Sequence, residues 1–166
     1  LLPQGRVMDF TVDEILSIDF TEALVIENLA VFYEVMQYPS LLSMLSNGSV
    51  VVFRGMAGCY STKGMKSLLE KFKGEKVGWF DFDPAGLSTI VNDNFDSLLV
   101  PELNELKKRL SENTLISDPD KYSKQTKTTP HLNLDDHSQL MEMNRLAVSQ
   151  EYMIATDFKL EKFDLD

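Results

Sequence analysis

Cysteine is almost missing from this chain: Cys59 stands alone among 166 residues. One cysteine excludes an internal disulfide and a cysteine-rich metal centre. It fits a reducing, cytoplasmic setting. Long apolar runs are missing as well. None approaches the ~18 residues that a membrane-spanning helix requires. No cleavable signal or targeting segment is visible at the start, and the first residue is Leu1 rather than Met. We therefore read the chain as a piece of a longer protein, with residues 1–20 a lead-in left from an upstream region. Positive charge is in short supply, with 16 Lys and Arg against 26 Asp and Glu and a net charge of −10. Phosphate neutralisation supplies most non-specific nucleic-acid affinity, so the domain as a whole is not built as a strong non-specific binder. The bases it has are gathered, however. Arg54, Lys63, Lys66, Lys71, Lys73 and Lys76 share one stretch with only Glu70 and Glu75. Such a stretch either holds a phosphate backbone locally or is a solvated helix face.

Apolar residues make up 43% of the chain, enough for the core of a single domain over residues 21–166. Residues 23–27 are a continuous apolar run and 77–83 begins as one; each reads as a buried strand, and 50–53 reads as a β-branched strand. A short fourth strand follows at 98–100, before Pro101. Asn28 is a good cap for a helix to about residue 37, and Ser61 or Thr62 for one to about residue 72, stopped by Lys73-Gly74. Pro84 suits the first position of a helix over 85–94, and 102–110 is helical. Residues 12–20 read as a short strand or turn. Residues 111–136, rich in Ser, Thr, Asn, Asp, Lys and Pro, read as an irregular excursion. Helical spacing returns over 137–149, and the tail after Ala155 is mixed. Strands alternating with helices imply an α/β fold, a mostly parallel sheet of about four strands flanked by helices.

In such sheets ligands bind beyond the carboxyl ends of the strands. Two strands end there in acid: Leu24-Val25-Ile26-Glu27 and Trp79-Phe80-Asp81-Phe82-Asp83. A carboxylate beside an apolar strand is costly unless a cation or hydrogen-bond donor meets it. Asp81 and Asp83 are two apart and would share one face of a strand. Their mutual repulsion would be relieved by a cation between them. Mg²⁺ suits three such carboxylates, since it takes oxygen ligands and keeps several waters. Glu27 would be a third ligand or a general base. Asp83, just before Pro84, is equally well placed to cap the following helix.

The motifs Leu24-Val25-Ile26-Glu27-Asn28-Leu29 with Phe32, the glycine loop 55–58, and Phe80-Asp81-Phe82-Asp83-Pro84-Ala85-Gly86-Leu87 together resemble a Toprim domain. That family has a Glu after its first core strand and an Asp-x-Asp after a later one. The likeness is to the topoisomerase VI A-subunit branch, and within it to the JetD-like nuclease subunits of Wadjet and MksG anti-plasmid systems. It spans roughly residues 21–154, including Arg145 to Glu151, which is similar to the Arg-Leu…Gln-Glu ending of that group.

The resemblance implies a Toprim-like fold and a Mg²⁺-dependent DNA endonuclease, with Mn²⁺ as the substitute ion. Glu27, Asp81 and Asp83 would be catalytic and metal-holding, with Glu151 an extra ligand. Arg54 and Lys63 would bind the scissile or flanking phosphate. Gly55 and Gly86 would let backbone pass close to the site. The partners implied are DNA, an SMC-type ATPase complex and a second copy in a homodimer, with no membrane. Two other readings stand beside it: a non-catalytic dimerisation and assembly module of such a complex, and a topoisomerase VI-like DNA-breaking subunit. The last needs a catalytic Tyr, and Tyr33, Tyr38, Tyr60, Tyr122 and Tyr152 are in none of the expected contexts.

Overall fold

In the computed structural model, residues 7–56, 58, 60–127, 134 and 136–165 are described. Cys59 and the part of the excursion at 128–133 lie outside them. The first element is not a strand but a helix, α1 (Val12–Leu16), with a complete capping box between Thr11 and Glu14. β1 (Glu22–Ile26) follows, buried along its whole length. Asn28 caps α2 (Leu29–Glu34), accepting from the N–H groups of Ala30 and Val31. A 3-10 turn and the short α3 (Pro39–Leu42) lead to β2 (Ser49–Phe53). Ser61 caps α4 (Thr62–Lys71), which runs to β3 (Glu75–Trp79). α5 (Pro84–Asn92), β4 (Ser97–Pro101) and α6 (Leu103–Ser111) come next.

The 111–136 stretch holds a helix, α7 (Pro119–Gln125), capped by Asp118 and started by Pro119. α8 (Asp136–Asn144) stops short of the expected end at 149, where Arg145 takes a left-handed φ of 51°, and a separate α9 (Gln150–Ala155) follows. The tail ends in β5 (Leu160–Asp164).

The fold is α/β, and the sheet has five strands rather than about four, in the order β2-β1-β3-β4-β5. β1 to β4 are parallel, and β5 is antiparallel to β4. Leu24, Ile26, Trp79, Phe82, Leu98 and Leu106 are among the buried side chains of the main core. Each large aliphatic side chain buried this way contributes roughly 1.5–3 kcal/mol. The lead-in packs on the domain: Phe20 stacks on Phe72 at 4.4 Å between ring centroids, and Val12 and Ile15 join Ala23 and Leu68. Among the described residues no helix is long and apolar enough to cross a membrane.

The strand order positions the site. After β1 the chain steps to one side to form β2, then returns past β1 to form β3 on the other. The carboxyl ends of β1 and β3 therefore flank a topological switch point, where a crevice opens in parallel α/β sheets. Glu27 follows β1, and Asp81 and Asp83 follow β3.

Candidate functional site

β3 ends at Trp79, earlier than the apolar run suggested, so Asp81 and Asp83 lie beyond the strand rather than on one of its faces. The chain leaves the ladder because Phe82 turns to pair with Val148, exchanging both backbone hydrogen bonds at 2.8 and 3.0 Å. The two carboxylates nevertheless converge. Asp81 Oδ2 and Asp83 Oδ2 each lie 2.7 Å from the Lys121 ammonium.

Their other oxygens are spoken for by backbone. Asp81 Oδ1 accepts from the Gln150 N–H at 2.8 Å. Asp83 Oδ1 accepts from the Gly86 N–H at 2.7 Å and so caps α5. Asp83 thus caps α5 with one oxygen, as its position offered, and pairs with the Lys121 ammonium through the other. Its side chain is only 2% exposed, and a charge so buried requires such partners. Gly86 is required at its place: a Cβ there would lie 2.2 Å from the Asp81 carbonyl oxygen.

Glu27 is held separately. Arg54 NH1 donates to Glu27 Oε1 at 2.6 Å, and the same guanidinium lies 5.7 Å from the Phe80 ring centroid. Arg54 is anchored where β2 ends, its N–H donating to the Ile26 carbonyl at 2.8 Å. Burial pushes the Glu27 carboxyl above its ordinary value. Arg54 opposes that shift, and the charges of Asp81 and Asp83 add to it. Glu27 therefore feels the two aspartates across the switch point, although it has its own counter-ion. Burial alone would lower the Lys121 ammonium, but the bonds to Asp81 and Asp83 win and raise it well above the usual lysine value.

A buried amide ties the two strand ends together. Gln150 Oε1 accepts from the Asn28 N–H at 3.0 Å, and its Nε2 donates to the Trp79 carbonyl at 2.8 Å. Glu151, the next residue, accepts from the Asn28 side-chain amide. It is exposed and sits at the same edge. Lys63 is exposed in the first turn of α4, the helix that begins on the carboxyl side of β2.

Sequence reasoning named Glu27, Asp81, Asp83, Arg54, Lys63 and Glu151, missed Lys121 and Gln125, and met Gln150 only within the Arg-Leu…Gln-Glu ending, with no role. Gln125 lies one turn after Lys121 on α7. Its Nε2 donates to Asp83 Oδ2 at 3.1 Å and its Oε1 accepts from the Ala85 N–H at 3.3 Å. The Asp118-Pro119 pair was a readable start signal for α7, but nothing local announces that Lys121 reaches Asp81, 40 residues away.

Among the described residues no group of three or more His, Cys, Asp or Glu is arranged to hold a metal ion. The donor chemistry still fits one. Two carboxylate oxygens meet at a single cation, the Lys121 ammonium, and hard oxygen donors of this kind suit Mg²⁺ or Mn²⁺.

No curated protein and no solved structure matches the chain. A family model described as a domain of unknown function, DUF7281, matches residues 1–162, and the chain belongs to that family.

Proposed function

We propose that this domain is a metal-dependent DNA endonuclease module of the Toprim type. One observation carries the reading: Asp81 and Asp83 direct an oxygen each at one cation, beside Glu27, at the switch point of a parallel sheet. Asp81 and Asp83 would hold Mg²⁺, with Glu27 and Glu151 as further oxygen ligands. When bound, the ion supplies positive charge to the phosphate and makes a water more acidic. The remaining work falls to the chain. Glu27, with its proton affinity raised by burial, is suited to take the proton of the attacking water. Arg54 offers a planar guanidinium fitted to phosphate oxygens. Lys63 extends positive charge along the DNA path. Gln150 fixes the spacing of the β1 and β3 ends, and with it the distance between base and ligands.

Hydrolysis of plasmid DNA as part of an SMC-type defence complex, with a homodimeric nuclease, is the setting that the resemblance to JetD-like proteins suggests. The experiment is cleavage of supercoiled plasmid by the complete protein, with its partner complex, in Mg²⁺ or Mn²⁺. Glu27→Ala and Asp83→Ala should each slow cleavage by about 100-fold or more. Folded variants that cut as fast as wild type would overturn the reading.

A second reading, a non-catalytic assembly module, has its own observation. Lys121 and Arg54 already neutralise the acids from within, as in a purely structural charge cluster. That reading takes over if the variants leave cleavage unchanged.

A further inference from the structure

We infer that Lys121 is the resident cation of the Asp81/Asp83 pair, and that a divalent ion enters this site only by displacing it. The inference rests on the metal reading above and adds its regulation: Lys121 is a clasp whose position sets whether the site can be loaded.

The geometry carries it. The ammonium lies 2.7 Å from each of two carboxylate oxygens. The opposite oxygen of each carboxylate is already committed to a backbone N–H. Hence the oxygens that would take a metal are the ones that Lys121 holds. A divalent ion and an ammonium at the same two oxygens would repel each other at contact distance, so they exclude one another. Lys121 is not an incidental neighbour. Asp118 caps α7 through the Lys121 N–H at 2.8 Å, and Gln125 pins the next turn to Asp83 and Ala85. Two side chains of one short helix thus converge on the same carboxylates.

The ammonium is also placed to leave, although Tyr122 holds α7 itself against the core. α7 is seven residues long and lies outside the sheet. The Lys121 side chain is 37% exposed, so the ammonium has a route to water that needs no unfolding of the core. Arg54 does not replace it, being engaged with Glu27, and Glu27 adds negative charge that favours whichever cation is present.

The test is Mn²⁺ binding to the chain, read by electron paramagnetic resonance of free Mn²⁺, for wild type, Lys121→Met and Lys121→Arg. Removing a competing cation is a coupling between two ligands of one site. Couplings of this kind are typically about 5–150-fold, and about tenfold tighter Mn²⁺ binding is expected for Lys121→Met. Lys121→Arg, which keeps the charge, should bind no more tightly than wild type. A second measurement needs no variant. Acetylation of Lys121 by acetic anhydride, followed by mass spectrometry, should quicken when Mn²⁺ is added, while Lys162 remains unchanged. Equal or weaker Mn²⁺ binding by Lys121→Met, or Lys121 acetylation indifferent to Mn²⁺, would overturn the inference. Absence of Mn²⁺ binding in every variant would overturn it together with the metal reading. Tighter binding by Lys121→Met in a protein that never cleaves DNA would uphold the clasp and remove only the nuclease assignment.

Discussion

The two ends of the sheet solve the same problem with the same device, and differ in what carries it. At the amino end, Glu22 of β1 and Glu75 of β3 are register partners, and Lys162 binds both. At the carboxyl end, Asp81 and Asp83 share Lys121. Each is a pair of carboxylates closed by one lysine. Lys162, however, belongs to β5, zipped to β4 through five register pairs, so it is fixed by the ladder. Lys121 belongs to a short helix outside the sheet. Glu22 is further occupied by the Ser46 N–H and the Ser49 hydroxyl. The amino end is a closed structural ion cluster; the carboxyl end has its lysine outside the ladder, on a side chain that reaches solvent. Burial of a charge is acceptable in both places, but only one can trade its cation.

Lys162→Met breaks the comparison most strongly. Stripping the partner from a fully buried charge costs 3–5 kcal/mol. Lys162 is partly exposed, so a loss of about 2 kcal/mol in urea unfolding is expected, and Mn²⁺ should not restore it. Lys121→Met should cost less, about 1 kcal/mol, because the Lys121 side chain is the more exposed of the two lysines. Mn²⁺ should recover that loss. Restoration of both variants, or of neither, would erase the distinction.

A smaller effect sharpens it. Burial pushes Glu22 up, but Ser49, Ser46 and Lys162 outweigh it and hold Glu22 below its ordinary value of 4.5. Glu27 is held above that value, chiefly by burial. The signs of linkage are opposite. Glu22 contributes stability that is complete above about pH 4.5 and is lost as pH falls through its lowered folded value. Glu27 contributes stability that is complete below about pH 4.5 and is lost as pH rises through its raised folded value. Glu22→Gln should therefore flatten the loss of stability as pH falls below about 4.5, and Glu27→Gln the loss of stability as pH rises above it. Urea unfolding from pH 3 to 7 reads both, and the same sign of change for the two would contradict the assignment.

Much of this architecture was legible in the residues. Continuous apolar runs marked β1 and β4, which lie inside the sheet and are buried along their length, and the β-branched run of β2 marked an edge strand that is half-buried. Asn28, Ser61 and Pro84 marked helix starts for local reasons that survive any tertiary context. β5 was not legible: Leu-Glu-Lys-Phe-Asp is short, half exposed and charged, as an edge strand is. α1 carried a capping-box signal in Thr11 and Glu14, but a five-residue helix with no buried side chain leaves no apolar period to follow. The acids of the site were found because acid at the end of an apolar strand is unusual. Their counter-ion was not, because Lys121 sits in polar sequence and meets Asp81 only through the fold.

The most direct measurement is the Mn²⁺-induced shift in melting temperature of wild type and Asp81→Asn. An ion at 100 times its Kd stabilises by about 2.7 kcal/mol. At roughly 2–4 °C per kcal/mol for a chain of this size, wild type should rise by about 5 °C or more. Asp81→Asn, folded and at the same Mn²⁺ concentration, should rise by less than about 1 °C. Equal shifts in the two proteins would contradict a cation site at the carboxyl edge of the sheet.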